Sequence, residues 1–184
     1  DSVWYFSGDR PHKLAVGLQA MRSSENGKAM AAHNLWLYFS WAHSIEGLYG
    51  GTLDDVGPWK DAGLPRGRQG TVSAILPAIG WLFAAINAGD SEDVRRCVSS
   101  VMVLANGWHE VFRAWEGGKT IESLYWQSIP GYLNRMWIGV GGDVVYQDYP
   151  RTSTDPSKDT NMTFQHEAVM VSGWMDAGFA DLNK

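Results

Sequence analysis

At 184 residues, with ten tryptophans, 21 glycines and a single cysteine, the chain is long enough to bury a core of its own without a disulfide or a metal. Fifteen Lys and Arg against twenty Asp and Glu leave a net charge of −5, which excludes non-specific nucleic-acid binding through a broad basic face but not a local basic site. Charged residues make up 19%, below the roughly 25% of ordinary domains, and charge depletion beside aromatic enrichment is the composition of surfaces that become covered.

The chain opens on an aromatic arm, residues 1–8, containing Trp4, Tyr5 and Phe6. Asp9 followed by Pro11 reads as a helix start, with Leu14, Leu18 and Met21 on one face and a stop near Glu25-Asn26-Gly27. Lys28 to Tyr49 reads as a second helix, apolar on more than one side, ended by Gly50-Gly51. Residues 52–70 carry Pro58, Pro65 and several glycines and read as a long loop. Thr71 is expected to cap an apolar helix to Asn87, bent at Pro77.

The strongest helical stripe runs from Ser91 to Glu116, through Val94, Cys97, Val98, Val101, Leu104, Trp108, Phe112 and Trp115. A further helix is expected from Thr120 to Trp137, kinked at Pro130-Gly131. Ile138 to Tyr149, with β-formers around Gly141-Gly142-Asp143, reads as a small hairpin. Residues 151–160 form a polar linker, and Thr163 caps a last helix with Phe164, Val171 and Trp174. The fold expected is mainly α, a single domain over residues 9–184 of about five to six helices with one hairpin at 138–149.

No apolar run is long enough to span a bilayer, since Val72 to Ile86 is short and interrupted by Ser73, Pro77 and Gly80. The start also lacks the basic flank and long apolar stretch of a signal peptide.

Among local constellations, the most pointed is Gly63-Leu64-Pro65-Arg66-Gly67-Arg68-Gln69-Gly70-Thr71. Glycines permit close backbone approach to an oxyanion, two guanidinium forks suit phosphate, and a helix beginning at Thr71 would add partial positive charge. Arg66, Gly67, Arg68, Gly70 and Thr71 are therefore an expected anion site, with Arg95 and Arg96 a second basic pair. The competing reading is a solvated loop pairing with Asp54-Asp55. His43 with Glu46, His109-Glu110 and His166-Glu167 lack metal-motif spacing, and no nucleophile elbow occurs, so no catalytic residue, metal or cofactor is expected.

Trp41, Trp81, Trp108, Trp115 and Trp174 fall where helical periodicity places a core, whereas Trp4, Tyr5, Phe6, Trp36 and Trp59 are expected at an assembly interface. These features together point to a structural, self-assembling subunit, such as a virus coat or filament protein. Its expected partners are copies of itself, with nucleic acid inside the assembly reached through the Gly/Arg loop, and its expected place is a virion or extracellular filament. The alternative is a secreted carbohydrate-active enzyme or carbohydrate-binding module that stacks sugars on exposed Trp and Tyr.

Overall fold

Two-residue turns dictate the architecture. Asn34-Leu35, Gly50-Gly51, Ile79-Gly80 and Gly141-Gly142 all hold both residues at positive φ, and Ala42-His43 holds its first there. Paired positive φ values make a mirror-image turn whose twist matches that of two antiparallel strands, so each such pair folds the chain back into a hairpin.

The computed structural model describes residues 4–8, 10–13, 23–58, 70–87, 99–128, 130 and 133–150. Among these residues there are thirteen strands and no helix. Strands β1 (Trp4–Ser7) and β2 (Arg10–Lys13) form a ribbon. A first sheet follows chain order through β3 (Met30–His33), β4 (Trp36–Trp41), β5 (Ser44–Tyr49) and β6 (Thr52–Asp55). The second sheet is built in the same way from β7 (Thr71–Ala78), β8 (Trp81–Asn87), β9 (Ser100–Leu104) and β10 (Trp108–Arg113). The third contains β11 (Ile121–Ser128), β12 (Asn134–Val140) and β13 (Asp143–Tyr149). Every pairing is antiparallel between strands consecutive in the chain.

The second sheet is the middle layer. On β8, Phe83 and Ala85 face the third sheet, packing with Val101, Val103, Ile121, Met136 and Ile138. Leu82, Ala84 and Ile86 alternate with them and face the first sheet, packing with Tyr38, Ile45, Val72 and Met102. Polar links join the layers as well: the Trp108 indole N–H donates to the Val56 carbonyl at 2.6 Å, and Asn87 on β8 bonds both backbone groups of Ile121 on β11.

The layers do not run at constant separation. Packed sheets ordinarily lie about 10 Å apart. Here the opening strand of each sheet closes to within 8 Å of the preceding sheet's opening strands, β7 against β3 and β4, and β11 against β7 and β8. Among the described residues the closing strands meet another sheet through large side chains instead, Trp108 of β10 at Val56 and Tyr149 of β13 at Phe83.

This all-β arrangement overturns the mainly α expectation. Residues 28–49 form β3, β4 and β5, 71–87 form β7 and β8, and the expected helix at 120–137 is β11 and the start of β12. Within 91–116, the stretch from Ser100 to Arg113 is a hairpin turned at Asn106-Gly107, both at positive φ, and a helix cannot pass through that turn. Where a helix was to start at Pro11 there is strand β2, and residues 52–55 of the expected loop are β6. Residues 138–149, read as a hairpin, belong to the longer β12–β13 pair. The remaining expectations at 14–22, 59–69, 91–98 and 151–184, including the polar linker and the last helix, lie outside the described residues.

The physical reason is the middle layer itself. A strand buried on both faces is apolar at every position, so Leu82 to Ile86 carry no alternation and imitate a buried helix. Pro77 is tolerated because β7 is the edge of its sheet.

Candidate interface on the outer face of the third sheet

One face of the third sheet covers the second. The other is built from residues two apart on each strand, and the pairing aligns them into rows. Tyr125, Trp137 and Tyr146 make an aromatic row across all three strands. Gln127, Arg135 and Asp148 make a polar row on one side of it, and Ser123, Gly139 and Val144 a row of smaller residues on the other.

The rows hold one another in place. Arg135 forks onto Asp148, with Nε to Oδ1 at 2.7 Å and Nη2 to Oδ2 at 3.2 Å. Its guanidinium lies 3.8 Å from the centre of the Tyr146 ring and 5.5 Å from that of Trp137. The Trp137 indole N–H donates to Gln127 Oε1 at 2.8 Å, and the Trp137 and Tyr146 rings stand 5.3 Å apart, tilted by 60°. Gly139 keeps the third row close, since a Cβ there would stand 2.7 Å from the Ser123 hydroxyl.

Despite this internal order, the described residues leave the face open. Tyr125 is 65% exposed, Tyr146 54% and Val144 70%. The arginine fork and the indole N–H already have partners within the sheet. What the face offers a partner is ring surface in a fixed arrangement. Covering such a row removes on the order of 300 Å² of mostly apolar area, about 7 kcal/mol at 25 cal/mol/Å² before association costs.

The expected interface aromatics are placed differently. Trp4 and Phe6, on one side of β1, are 58% and 75% exposed. Tyr5 pairs with His12 in the ribbon backbone. Trp36 is half-buried, stacking on Tyr38 and on Tyr49 with ring centres 6.2 and 5.3 Å away. Trp59 lies outside the described residues. Among the expected core tryptophans Trp41 is buried, Trp108 is half-buried and Trp81 and Trp115 are exposed; Trp174 lies outside the described residues.

For the expected anion site, Arg66, Gly67 and Arg68, like Arg95 and Arg96, lie outside the described residues. Gly70 takes positive φ against the Asn87 carbonyl, and Thr71 opens β7, so the helix start that was to supply partial charge is a strand. Sequence reasoning missed Tyr125, Trp137 and Tyr146 as a group. Their signal was the alternation along 134–140, polar or aromatic at Arg135 and Trp137 against apolar at Met136, Ile138 and Val140.

Other polar clusters serve the fold. The Ser44 hydroxyl donates to Asp55, which also accepts from the Gly57 N–H, and this closes the end of β5 on β6. His43 Nδ1 lies 3.2 Å from the Gly70 carbonyl, tying the first sheet to the start of the second. Burial pushes the Tyr38 hydroxyl above its ordinary pKa and that of Tyr149 further still, and among the described residues the Tyr149 hydroxyl has no hydrogen-bond partner. Among the described residues no three His, Cys, Asp or Glu side chains gather as a metal-binding group, and no helix is long and apolar enough to cross a membrane. Compared with known proteins, the chain matches no family model, no curated protein and no solved structure.

Proposed function

We propose that this chain is a structural subunit that assembles with copies of itself, and that the outer face of its third sheet is a contact between copies. The observation that carries this reading is the aromatic row of exposed Tyr125 and Tyr146 flanking half-buried Trp137, braced by Arg135, Asp148 and Gln127. The middle sheet buries both of its faces, and the first sheet buries Phe39, Trp41 and Ala42 on the face turned away from the stack. Against that background a rigid aromatic face left open is a surface built to be covered.

The test is the mass of the native particle by light scattering, for the wild type and for Tyr125→Ser with Tyr146→Ser. Both side chains point away from the core, so the variant keeps its fold while the particle shrinks. A wild type that is monomeric at high micromolar concentration overturns the reading. Should that monomer bind oligosaccharides and lose binding in the same variant, the row is a sugar-stacking platform instead.

A further inference from the structure

The turns of the first two sheets gather at one end. His43, just past β4, reaches the Gly70 carbonyl before β7, and β3 lies alongside β7, so these two opening strands begin side by side. The Asn34-Leu35 and Ile79-Gly80 turns, at the far ends of those strands, therefore project the same way. Antiparallel pairing brings the Gly50-Gly51 and Asn106-Gly107 turns to that end as well.

Charge is missing there. Residues 29–45, 47–53, 70–87 and 99–109, which hold all four turns, contain no Lys, Arg, Asp or Glu, whereas the stretches joining β6 to β7, β8 to β9 and β10 to β11 all carry charged residues. In place of charge the turns show apolar side chains. Leu35 is 87% exposed, and Ile79, Trp81 and Tyr49 are exposed too. Leu35 at φ 70° and Ile79 at φ 45° occupy the left-handed region, which Asn or Gly enters at far less cost. Among the described residues neither joins a buried core, so packing within the fold does not offset that strain.

Aromatic rings stand a step behind the tips. Trp36 follows Leu35, leans back over Gly47, where a Cβ would stand 3.0 Å from its ring, and stacks on Tyr49 with ring centres 5.3 Å apart. Trp81 follows the Ile79-Gly80 turn at the start of β8. Aliphatic groups outermost, Trp and Tyr behind them and no charge among them match the depth order of a bilayer surface, where Trp and Tyr settle at the headgroup boundary above the acyl chains.

We infer that this end docks on a zwitterionic lipid surface, with Leu35 and Ile79 entering the acyl boundary and Trp81 and Tyr49 at headgroup level. The contact lies on the membrane without crossing it and is independent of the third-sheet face. Separate protruding tips suit a fluid phase, which closes around each of them, whereas a protein surface must supply a fitted pocket for each. None of these stretches offers Lys or Arg to anionic headgroups, and the net charge of −5 repels them.

The experiment is co-sedimentation of the full chain with phosphatidylcholine vesicles, for the wild type and for Leu35→Asn with Ile79→Asn. Asn suits both positive-φ sites, so the variant keeps its circular dichroism and its thermal midpoint holds or rises. Its partition onto vesicles falls about a hundredfold, about tenfold for each apolar side chain withdrawn. Wild-type binding changes little with added salt and weakens as phosphatidylserine replaces phosphatidylcholine. A wild type that stays in the supernatant, a variant that binds as the wild type does, or binding confined to anionic vesicles each overturns the inference. A variant that loses self-association in light scattering without lipid overturns it too, because the end is then a contact between copies.

Discussion

Replacing Asn87 by alanine probes how the second and third sheets are locked. The buried Asn87 side chain stands in for a strand: its Oδ1 accepts from the Ile121 N–H at 2.7 Å and its Nδ2 donates to the Ile121 carbonyl at 3.0 Å. The same carbonyl accepts from Ser73 Oγ at 2.5 Å. Ser73 is the extra residue of a bulge in β7, and the bulge turns its hydroxyl toward the third sheet. In Asn87→Ala the Ile121 N–H loses its buried acceptor, a cost of about 1–3 kcal/mol, while the carbonyl keeps Ser73 and loses about 0.5–1 kcal/mol more. The expected loss is about 2–3 kcal/mol. Ser73→Ala, leaving the carbonyl bonded to Asn87, costs about 0.5–1 kcal/mol. The double variant strips the carbonyl of both donors, so its loss exceeds the sum of the single losses by about 1 kcal/mol. Urea unfolding at equilibrium measures all three on one scale. A loss below about 0.5 kcal/mol for Asn87→Ala, or strict additivity in the double variant, would refute the claim that this bond set joins the layers.

Two further substitutions test other features of the fold. The partnerless Tyr149 hydroxyl makes Tyr149→Phe neutral or stabilising by about 1 kcal/mol at pH 7. Burial holds the folded-state pKa of Tyr149 above its unfolded value of 10.0, so the wild type loses about 1.4 kcal/mol per pH unit as pH rises past that value. The phenylalanine variant lacks this loss, and parallel stability curves for the two proteins above pH 10 would contradict the assignment. Ile79 sits at φ 45° in the turn before Gly80, a backbone that a β-branched residue adopts at a cost. Ile79→Asn supplies the Asn-Gly pair suited to that turn and raises stability by about 0.5–1 kcal/mol in thermal unfolding, whereas a lowered midpoint speaks against the turn geometry.

The strand fold was present in the sequence mainly as turns. Asn106-Gly107 interrupts what otherwise looks like one helical stripe from Val98 to Trp115, and Asn-Gly between apolar runs is a hairpin signal. Gly50-Gly51 and Gly141-Gly142 carry the same message. Asn34-Leu35 and Ala42-His43 do not, since Leu35 and Ala42 adopt positive φ without the residue types that announce it. Alternation was erased in the middle sheet by burial on both faces. Of the open aromatic face, the members were legible as tryptophan and tyrosine, but their alignment depends on register across three strands, which no single stretch of sequence contains.

The layers approach most closely through their opening strands, while at the closing strands single large side chains, Trp108 at Val56 and Tyr149 at Phe83, bridge the gap, so each sheet is a shallow wedge. Flat layers stack in a straight line and continue without end, as in cross-β fibres. Wedges turn, and each one added rotates the array a little further about the line followed by β3, β7 and β11.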